Sequence, residues 1–272
     1  ECTGGTDQLS VALTANTGTG TIAYQWHQVG ANPTAITGAN SASYQPSSGT
    51  AGQTSYYVVI TATGDGCDAV TSSTVTVAVN AQPTIAPISD ITECVGGTAS
   101  LTANVSNGSG TVTYQWHQVG ATPTAISLAT SQAYTPSASV AGTEQYYVVV
   151  TDAASGCNDP TSNTVNVVVV ADPAIAIQPT AITECIGGTT ALTVAATGGT
   201  PLLTYQWYNS AGAISGEILT SYTPSSTSAG TETYYAIASA SGSGCTDATS
   251  SSVTVTVAAD PAIATQPTGI VE

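Results

Sequence analysis

Residues 114–117, Tyr-Gln-Trp-His, and residues 141–150, Ala-Gly-Thr-Glu-Gln-Tyr-Tyr-Val-Val-Val, decide the reading of this chain. Both stretches alternate with a period of two. Tyr114 and Trp116 fall on one face of the first, and Tyr146, Val148 and Val150 on one face of the second. That alternation marks half-buried strands. Working outward, Leu101, Ala103 and Val105 form an earlier row, and Val165, Val167 and Val169 a later one. Clusters rich in Gly, Ser, Asn and Pro separate the rows, as at Ser106-Asn107-Gly108-Ser109-Gly110. No segment carries a helical period.

The same stretch occurs three times. Tyr24-Gln25-Trp26 and Tyr205-Gln206-Trp207 repeat the first element. Tyr56-Tyr57 and Tyr234-Tyr235, each with an Ala-Gly pair just upstream, repeat the second. Two further motifs travel with them: Glu-Cys-x-Gly-Gly-Thr, beginning at Glu1, Glu93 and Glu184, and Gly-Cys, ending at Cys67, Cys157 and Cys245. Copies lie 88 to 92 residues apart, the period of a small domain rather than of a helical repeat.

Short strands at this spacing predict an all-β fold of two-layer sandwiches. A single Trp on the third strand, and a Tyr opening a late strand after Ala-Gly, match the buried Trp and tyrosine corner of the immunoglobulin sandwich. The predicted architecture is therefore tandem immunoglobulin-like antiparallel β-sandwiches arranged end to end, with Trp26, Trp116 and Trp207 in the cores. The positions that usually hold an inter-sheet disulfide carry Val58, Val148 and Ala236 on one side and Val11, Ala103 and Val194 on the other. Aliphatic side chains close these cores instead.

The expected boundaries are residues 1–80 for a repeat lacking its first strand, 81–170 and 171–259 for two full repeats, and 260–272 for the first strand of a following repeat. The junctions Gln82-Pro83, Asp172-Pro173 and Asp260-Pro261 hold proline and no flexible Gly/Ser linker, so a semi-rigid rod is expected. Glu272 aligns with Glu184. Two readings of that tail stay open: a window on a longer chain, or a subunit whose tail completes the next subunit by strand addition.

Composition removes whole classes of function. The 272 residues include no Lys and no Arg, and the formal net charge is -16. No side chain can neutralise a phosphate, so nucleic acid is excluded as a partner, and an anionic membrane surface would repel the chain. Schiff-base chemistry and arginine clamps are absent. No run of 18 apolar residues is present, so this segment has no membrane span. His27 and His117 follow the tryptophans, point to the opposite face and have no recurring partner, so no catalytic residue and no enzyme is expected. Asp172 and Asp260 at two joints, with Glu93, Glu184, Asp68, Asp159 and Asp247 near domain ends, are candidate Ca²⁺ ligands by their oxygen chemistry. The first joint has Asn80 instead and there is no Asp-x-Asp-x-Asp-Gly loop, so no metal and no cofactor is expected. Asn104 and Asn107 match the N-glycosylation pattern.

The six cysteines, Cys2, Cys67, Cys94, Cys157, Cys185 and Cys245, fall in pairs and indicate an oxidising compartment and structural disulfides. Two pairings are open. Within repeats the bridges would be Cys2–Cys67, Cys94–Cys157 and Cys185–Cys245. However, Cys94 sits at the pole where the first strand ends, and Cys157 in a loop at the opposite pole. A strand rises about 3.3 Å per residue, and a disulfide needs Cα atoms within about 7 Å. Neighbouring repeats meet pole to pole, which favours Cys2–Cys157 and Cys94–Cys245 and turns Cys67 and Cys185 toward other repeats.

The run Cys-x-Gly-Gly-Thr, Leu-Thr, Tyr-Gln-Trp, Tyr-Tyr-Val, Gly-Cys and Val-Thr-Val resembles the immunoglobulin-like repeats of giant cell-surface adhesins of gliding bacteria, of the SprB-like type. The resemblance implies an extracellular, cell-surface location and a stalk or filament role in attachment or gliding. Its expected partners are neighbouring repeats of the same protein and a surface glycan or polymer. The alternative is an array of carbohydrate-binding modules, using Tyr and Trp as sugar platforms. The charge balance itself is testable. With no cation on the side chains, solubility is expected to fall as pH approaches the sequence pI of about 4.1. Turbidity measured against pH checks this, and self-association strongest at neutral pH and low salt would contradict it.

Overall fold

The structure is a computed structural model that describes residues 1–14, 20–63 and 67–269. All regular elements among them are strands. The chain forms two compact units. The first comprises Glu1–Ile88, Thr102–Tyr134 and Tyr146–Thr164, and the second Ser89–Leu101, Thr135–Gln145 and Val165–Glu272. The first repeat lies wholly in the first unit and the third wholly in the second, and the middle repeat contributes to both.

In the first repeat, strand Ile22–Gln28 pairs antiparallel with Gly52–Ala62, placing Trp26 opposite Val58 and Tyr24 opposite Ile60. Gly52–Ala62 also pairs with Val70–Thr71 and Val75–Val79, and the short strand Thr34–Ala35 extends the other edge. A second, two-stranded layer pairs Leu9–Ser10 with Ser43–Tyr44. Period-two alternation is visible in the burial: Tyr56, Val58 and Ile60 are buried, with the intervening residues more exposed. The third repeat repeats this plan around Thr204–Asn209 and Gly230–Ser239, with Leu192–Thr193 pairing Ser221–Tyr222 in the opposing layer.

Each core is built on its indole. Trp26, Trp116 and Trp207 are 3, 0 and 0 % exposed. Each indole Nε1 donates to a backbone carbonyl, of Ser41, Ser131 and Leu219 at 3.0, 3.0 and 2.9 Å, so its polar atom is satisfied. A second aromatic row, absent from the sequence reading, packs on each indole. Tyr44, Tyr134 and Tyr222 lie 5.9, 5.8 and 5.9 Å from the Trp rings and 5.6, 5.6 and 5.5 Å from Tyr56, Tyr146 and Tyr234. Burial raises the phenol pKa of all three of these tyrosines. The glutamine of each Tyr-Gln-Trp ties its strand to the following turn: Gln25, Gln115 and Gln206 Nε2 donate to the carbonyls of Ile36, Ile126 and Ile214 at 2.9, 2.9 and 2.7 Å.

The expectation of purely antiparallel sheets needs one correction. Ahead of each later Glu-Cys motif the first strand is split. In the first unit Thr84–Ile85 pairs antiparallel with Val105–Ser106. In the second unit Ile91–Cys94 runs parallel to Val167–Val170, and likewise Ile182–Cys185 to Val255–Ala258. The proline between the halves, Pro87 or Pro179, has no N–H and a fixed φ, which ends one ladder before the next begins. Residues 260–269 form no strand, because the ladder partners that residues 174–185 find in their own repeat have no counterpart for them within the chain. Ile270, Val271 and Glu272 lie outside the described residues.

Trp207 is fully buried against Leu192, Val194, Ala236 and Val255. Trp207→Ala is expected to lower stability by about 3–5 kcal/mol, the usual cost of truncating a buried aromatic side chain. Urea unfolding followed by circular dichroism measures it.

Candidate functional site: the joints between repeats

Two motifs distant in sequence meet in each unit. In the first unit the Cys-x-Gly-Gly-Thr loop of repeat one meets the Ser155-Gly156-Cys157 loop of repeat two. Cys2 and Cys157 form a disulfide with Cα atoms 4.8 Å apart across 155 residues of chain. Beside it Cys2 N donates to Ser155 O at 2.8 Å, and Thr6 N to Ser155 Oγ at 2.9 Å. The second unit repeats the arrangement between repeats two and three. Cys94 is bonded to Cys245 with Cα atoms 4.9 Å apart, and Cys94 N and Thr98 N donate to Ser243 O and Oγ, each at 2.9 Å. Cys67 and Cys185, counted in the sequence reading among the structural disulfides, are unbridged and exposed. Each bridge joins the first cysteine of one repeat to the second cysteine of the next, so these two have no counterpart within the 272 residues. Gly66, which precedes Cys67, lies outside the described residues.

Glycine makes the contact possible. Gly156 and Gly244 sit in the left-handed region, with φ of 75° and 77°. A Cβ on Gly156 would strike the backbone of Gly5, and one on Gly244 the backbone of Gly97. The acidic residue of the motif also has a defined task. Glu1, Glu93 and Glu184 fold back over their own loops, and each Oε2 accepts a backbone N–H: from Asp7 at 3.1 Å, Ala99 at 3.0 Å and Thr190 at 3.1 Å. A Cβ on Gly5, Gly97 or Gly188 would overlap these carboxylates. Glu93 is fully buried, and the Oε1 of all three is buried without a hydrogen-bond partner. The hexapeptide is thus a loop clamp: Glu holds it, the first Gly turns it, the second makes room, and Cys bridges it.

Around the first joint, Gln82 spans both repeats. Its Nε2 donates to Thr3 O and Gly156 O, both at 2.7 Å, and its Oε1 accepts from Asn158 N at 2.8 Å. Asp152, 3 % exposed, accepts from Ser109 N and Oγ, both at 2.6 Å, and from Ala154 N at 3.1 Å. Burial alone would raise its carboxyl pKa, but these hydrogen bonds outweigh burial and hold it below the ordinary value. At the corresponding place near the second joint Asp172 Oδ2 accepts from Thr246 Oγ1 at 3.0 Å.

The residues weighed for other chemistry are used differently. Among the described residues one trio has ligand spacing for a metal, Cys2, Asp152 and Cys157, but its two sulfurs are bonded to each other and offer no thiolate. Asp159 Oδ1 accepts from Asp152 N at 3.2 Å inside its own loop. His27 and His117 lie on the outer face, yet half-buried, because Tyr57 and Tyr147 stack on them with centroids 4.9 and 4.8 Å apart. Tyr208 stacks on Tyr235 in the same way.

Gly244→Ala adds a left-handed alanine, costing about 1–2 kcal/mol, and a collision with Gly97. The expected outcome is a second joint that closes poorly, with Cys94 and Cys245 labelled by a thiol reagent under conditions that leave Cys2 and Cys157 protected. Equal protection at both joints would contradict it. Since the chain lacks Lys and Arg, peptide mapping uses Glu- or Asp-directed cleavage.

A family model described as Ig-like domain, CHU_C associated, matches residues 81–170 and 171–258. A domain of unknown function (DUF8696) matches residues 2–81. No curated protein matches the chain. Among solved structures, extracellular domains 3–5 of Drosophila OTK are 15% identical, covering 93% of this chain and 92% of that one with a TM-score of 0.45. The titin I-band fragment I67–I69 is 16% identical, covering 89% and 90% with a TM-score of 0.39. Sidekick-1 immunoglobulin domains 1–4 are 17% identical, covering 97% and 73% with a TM-score of 0.34. The CHU_C-associated model spans more than half of the chain, in two consecutive matches, and the chain belongs to this family of Ig-like domains.

Proposed function

We propose that this segment is a load-bearing part of the stalk of a secreted, cell-surface bacterial adhesin, of the gliding-motility (SprB-like) type. The observation that carries this reading is the interlaced pair of bridges, Cys2–Cys157 and Cys94–Cys245, each of which staples one repeat to the next. A domain that needed only its own stability would place a disulfide inside its own sandwich, and these cores close with Val58, Val148 and Ala236 instead. Cross-links between repeats keep neighbours joined when a repeat is pulled. Tandem Ig-like domains suit structural and adhesive roles, and disulfides suit an oxidising, extracellular setting. The adhesive contact, with a surface glycan or polymer, belongs to regions that such a stalk carries. The carbohydrate-module alternative needs exposed rings, whereas the three indoles are buried.

Single-molecule stretching between the ends of the segment tests this reading. In the oxidised chain the shortest covalent path runs from Cys2 to Cys157, back along the chain to Cys94, across to Cys245 and on to Glu272. At the usual reach per residue, its full extension is roughly one-third of that of the reduced chain. Equal extension in oxidised and reduced samples would show that the bridges carry no load.

A further inference from the structure

The two joints share a frame and differ at one telling position. At the first, Thr3 N donates to Asn80 O at 3.0 Å and Gly108 N to Ala81 O at 2.9 Å. At the second, Val95 N donates to Val170 O at 3.0 Å and Gly199 N to Ala171 O at 2.8 Å. Together with the bridges, the serine contacts and the close Gly–Gly approach, these bonds put Asn80-Ala81-Gln82 and Val170-Ala171-Asp172 in matching places, each followed by proline. Asp172 is therefore the counterpart of Gln82. The carbonyls of Val95 and Gly244 are the counterparts of those of Thr3 and Gly156.

The exchange reverses the hydrogen-bonding chemistry. Gln82 uses both ends of its amide: Oε1 accepts from Asn158 N, and Nε2 donates to Thr3 O and Gly156 O, both at 2.7 Å. One oxygen of Asp172 keeps the first role. Its Oδ2 accepts from Thr246 Oγ1 at 3.0 Å, and Thr246 is the counterpart of Asn158. The other oxygen cannot keep the second role. A carboxylate has no N–H, so Oδ1 adds an acceptor where two carbonyls already need a donor. Asp172 Oδ1 is buried, and no protein donor reaches it. The aspartate is also one methylene shorter than glutamine, which leaves room where the amide nitrogen of Gln82 lies.

Three acceptors around one space call for a donor or a cation. A water molecule has two O–H groups, one too few, and brings no charge to a buried carboxylate oxygen. The chain has no Lys or Arg and carries a formal charge of -16, so the charge must come from solution. Carbonyls, a carboxylate and water are the ligand set of Ca²⁺, whereas Mg²⁺ demands a near-ideal octahedron and keeps several of its waters.

We infer that Asp172 Oδ1, Val95 O and Gly244 O hold a Ca²⁺ ion at the second joint, with water completing its shell. The ion takes the part of the Gln82 NH₂ group and ties the loop of Val95 to the loop of Gly244 beside the Cys94–Cys245 bridge. The first joint needs no ion, because an amide does the same work there. Glu1, Glu93 and Glu184 also bury an unpartnered oxygen, but they do so in all three repeats and do not set the joints apart. The site concerns the joint alone and stands whichever role the segment has.

Isothermal titration calorimetry of the oxidised 272-residue chain with CaCl₂ tests this, in about 150 mM salt to screen loose binding to exposed carboxylates. The expected result is one site per chain with a Kd of about 10⁻⁴–10⁻³ M, the range of extracellular modules. Asp172→Gln installs the amide of the first joint and is expected to abolish the site while the Cys94–Cys245 bridge still forms. Gln82→Asp is expected to add a second site, at the first joint. Thiol labelling during reduction locates the ion. Cys94 is buried, so a thiol attacks it when the loops part, and the ion must leave first. At ten times its Kd, Ca²⁺ is expected to slow reduction of Cys94–Cys245 by about tenfold through mass action and to leave Cys2–Cys157 unchanged. Circular dichroism verifies that the variants fold. No saturable site in the unaltered chain, an equal site in Asp172→Gln, a folded Gln82→Asp chain without a second site, or equal protection of both bridges would each overturn the inference.

Discussion

A disulfide reaches only about 7 Å between Cα atoms, and that short reach governs both joints. Backbone must meet backbone beside each bridge, so Gly156 lies against Gly5 and Gly244 against Gly97, where no Cβ fits. The same glycines of the Gly-Gly pair give space to the carboxylates of Glu1 and Glu93. One residue type therefore serves both a close approach between repeats and a loop clamp within a repeat. The serine carbonyl and hydroxyl then satisfy two backbone N–H groups that the bridge would otherwise bury unpaired.

The absence of Lys and Arg imposes a second constraint. A buried carboxylate here has no cationic side chain of those types to pair with and must be held by N–H and O–H donors. Asp152 does so through Ser109 and Ala154, and exposed Asp90 through the backbone and side chain of Asn166, whose hydrogen bonds lower its pKa. Polar neutral side chains take over work that ion pairs do elsewhere. Surface ion pairs contribute about 0–1 kcal/mol each, so their loss costs little stability, and the cores rest on the Trp–Tyr–Tyr stacks and valine rows.

The fold class could be read from residues whose spacing reports burial directly: Tyr114, Trp116, Tyr146 and Val148 sit where a period of two puts them. The split first strand could not, because Pro87 and Pro179 read equally well as strand ends or as breaks between sheets, and a parallel ladder leaves the same alternation as an antiparallel one. Tyr44, Tyr134 and Tyr222 escaped notice because each stands in a strand of two residues, too short to show a period. At the joints, strand rise against disulfide reach favoured bridges between neighbours. Nothing in the spacing disclosed Gln82 as the link among Thr3, Gly156 and Asn158, since a lone Gln before Pro carries no pattern. His27 and His117 were placed on the outer face by alternation, but the rings of Tyr57 and Tyr147 that cover them come from the neighbouring strand.

Placing the bridges between repeats changes what they stabilise. A disulfide acts largely by shortening the unfolded chain, and in the chain-entropy account a loop of about 150 residues is worth about 5 kcal/mol. That stabilisation is shared by two repeats, because each loop encloses most of two neighbouring repeats. The loops also overlap between residues 94 and 157, so most of the middle repeat lies inside both. Loosening the middle repeat under load leaves it held by Cys157 to the repeat before it and by Cys94 to the repeat after it. A bridge within one sandwich would protect that sandwich alone. Overlapping bridges convert neighbouring domains into a covalently continuous series, while the aliphatic pairs Val58 with Val11, Val148 with Ala103 and Ala236 with Val194 fill the space that a core disulfide would occupy.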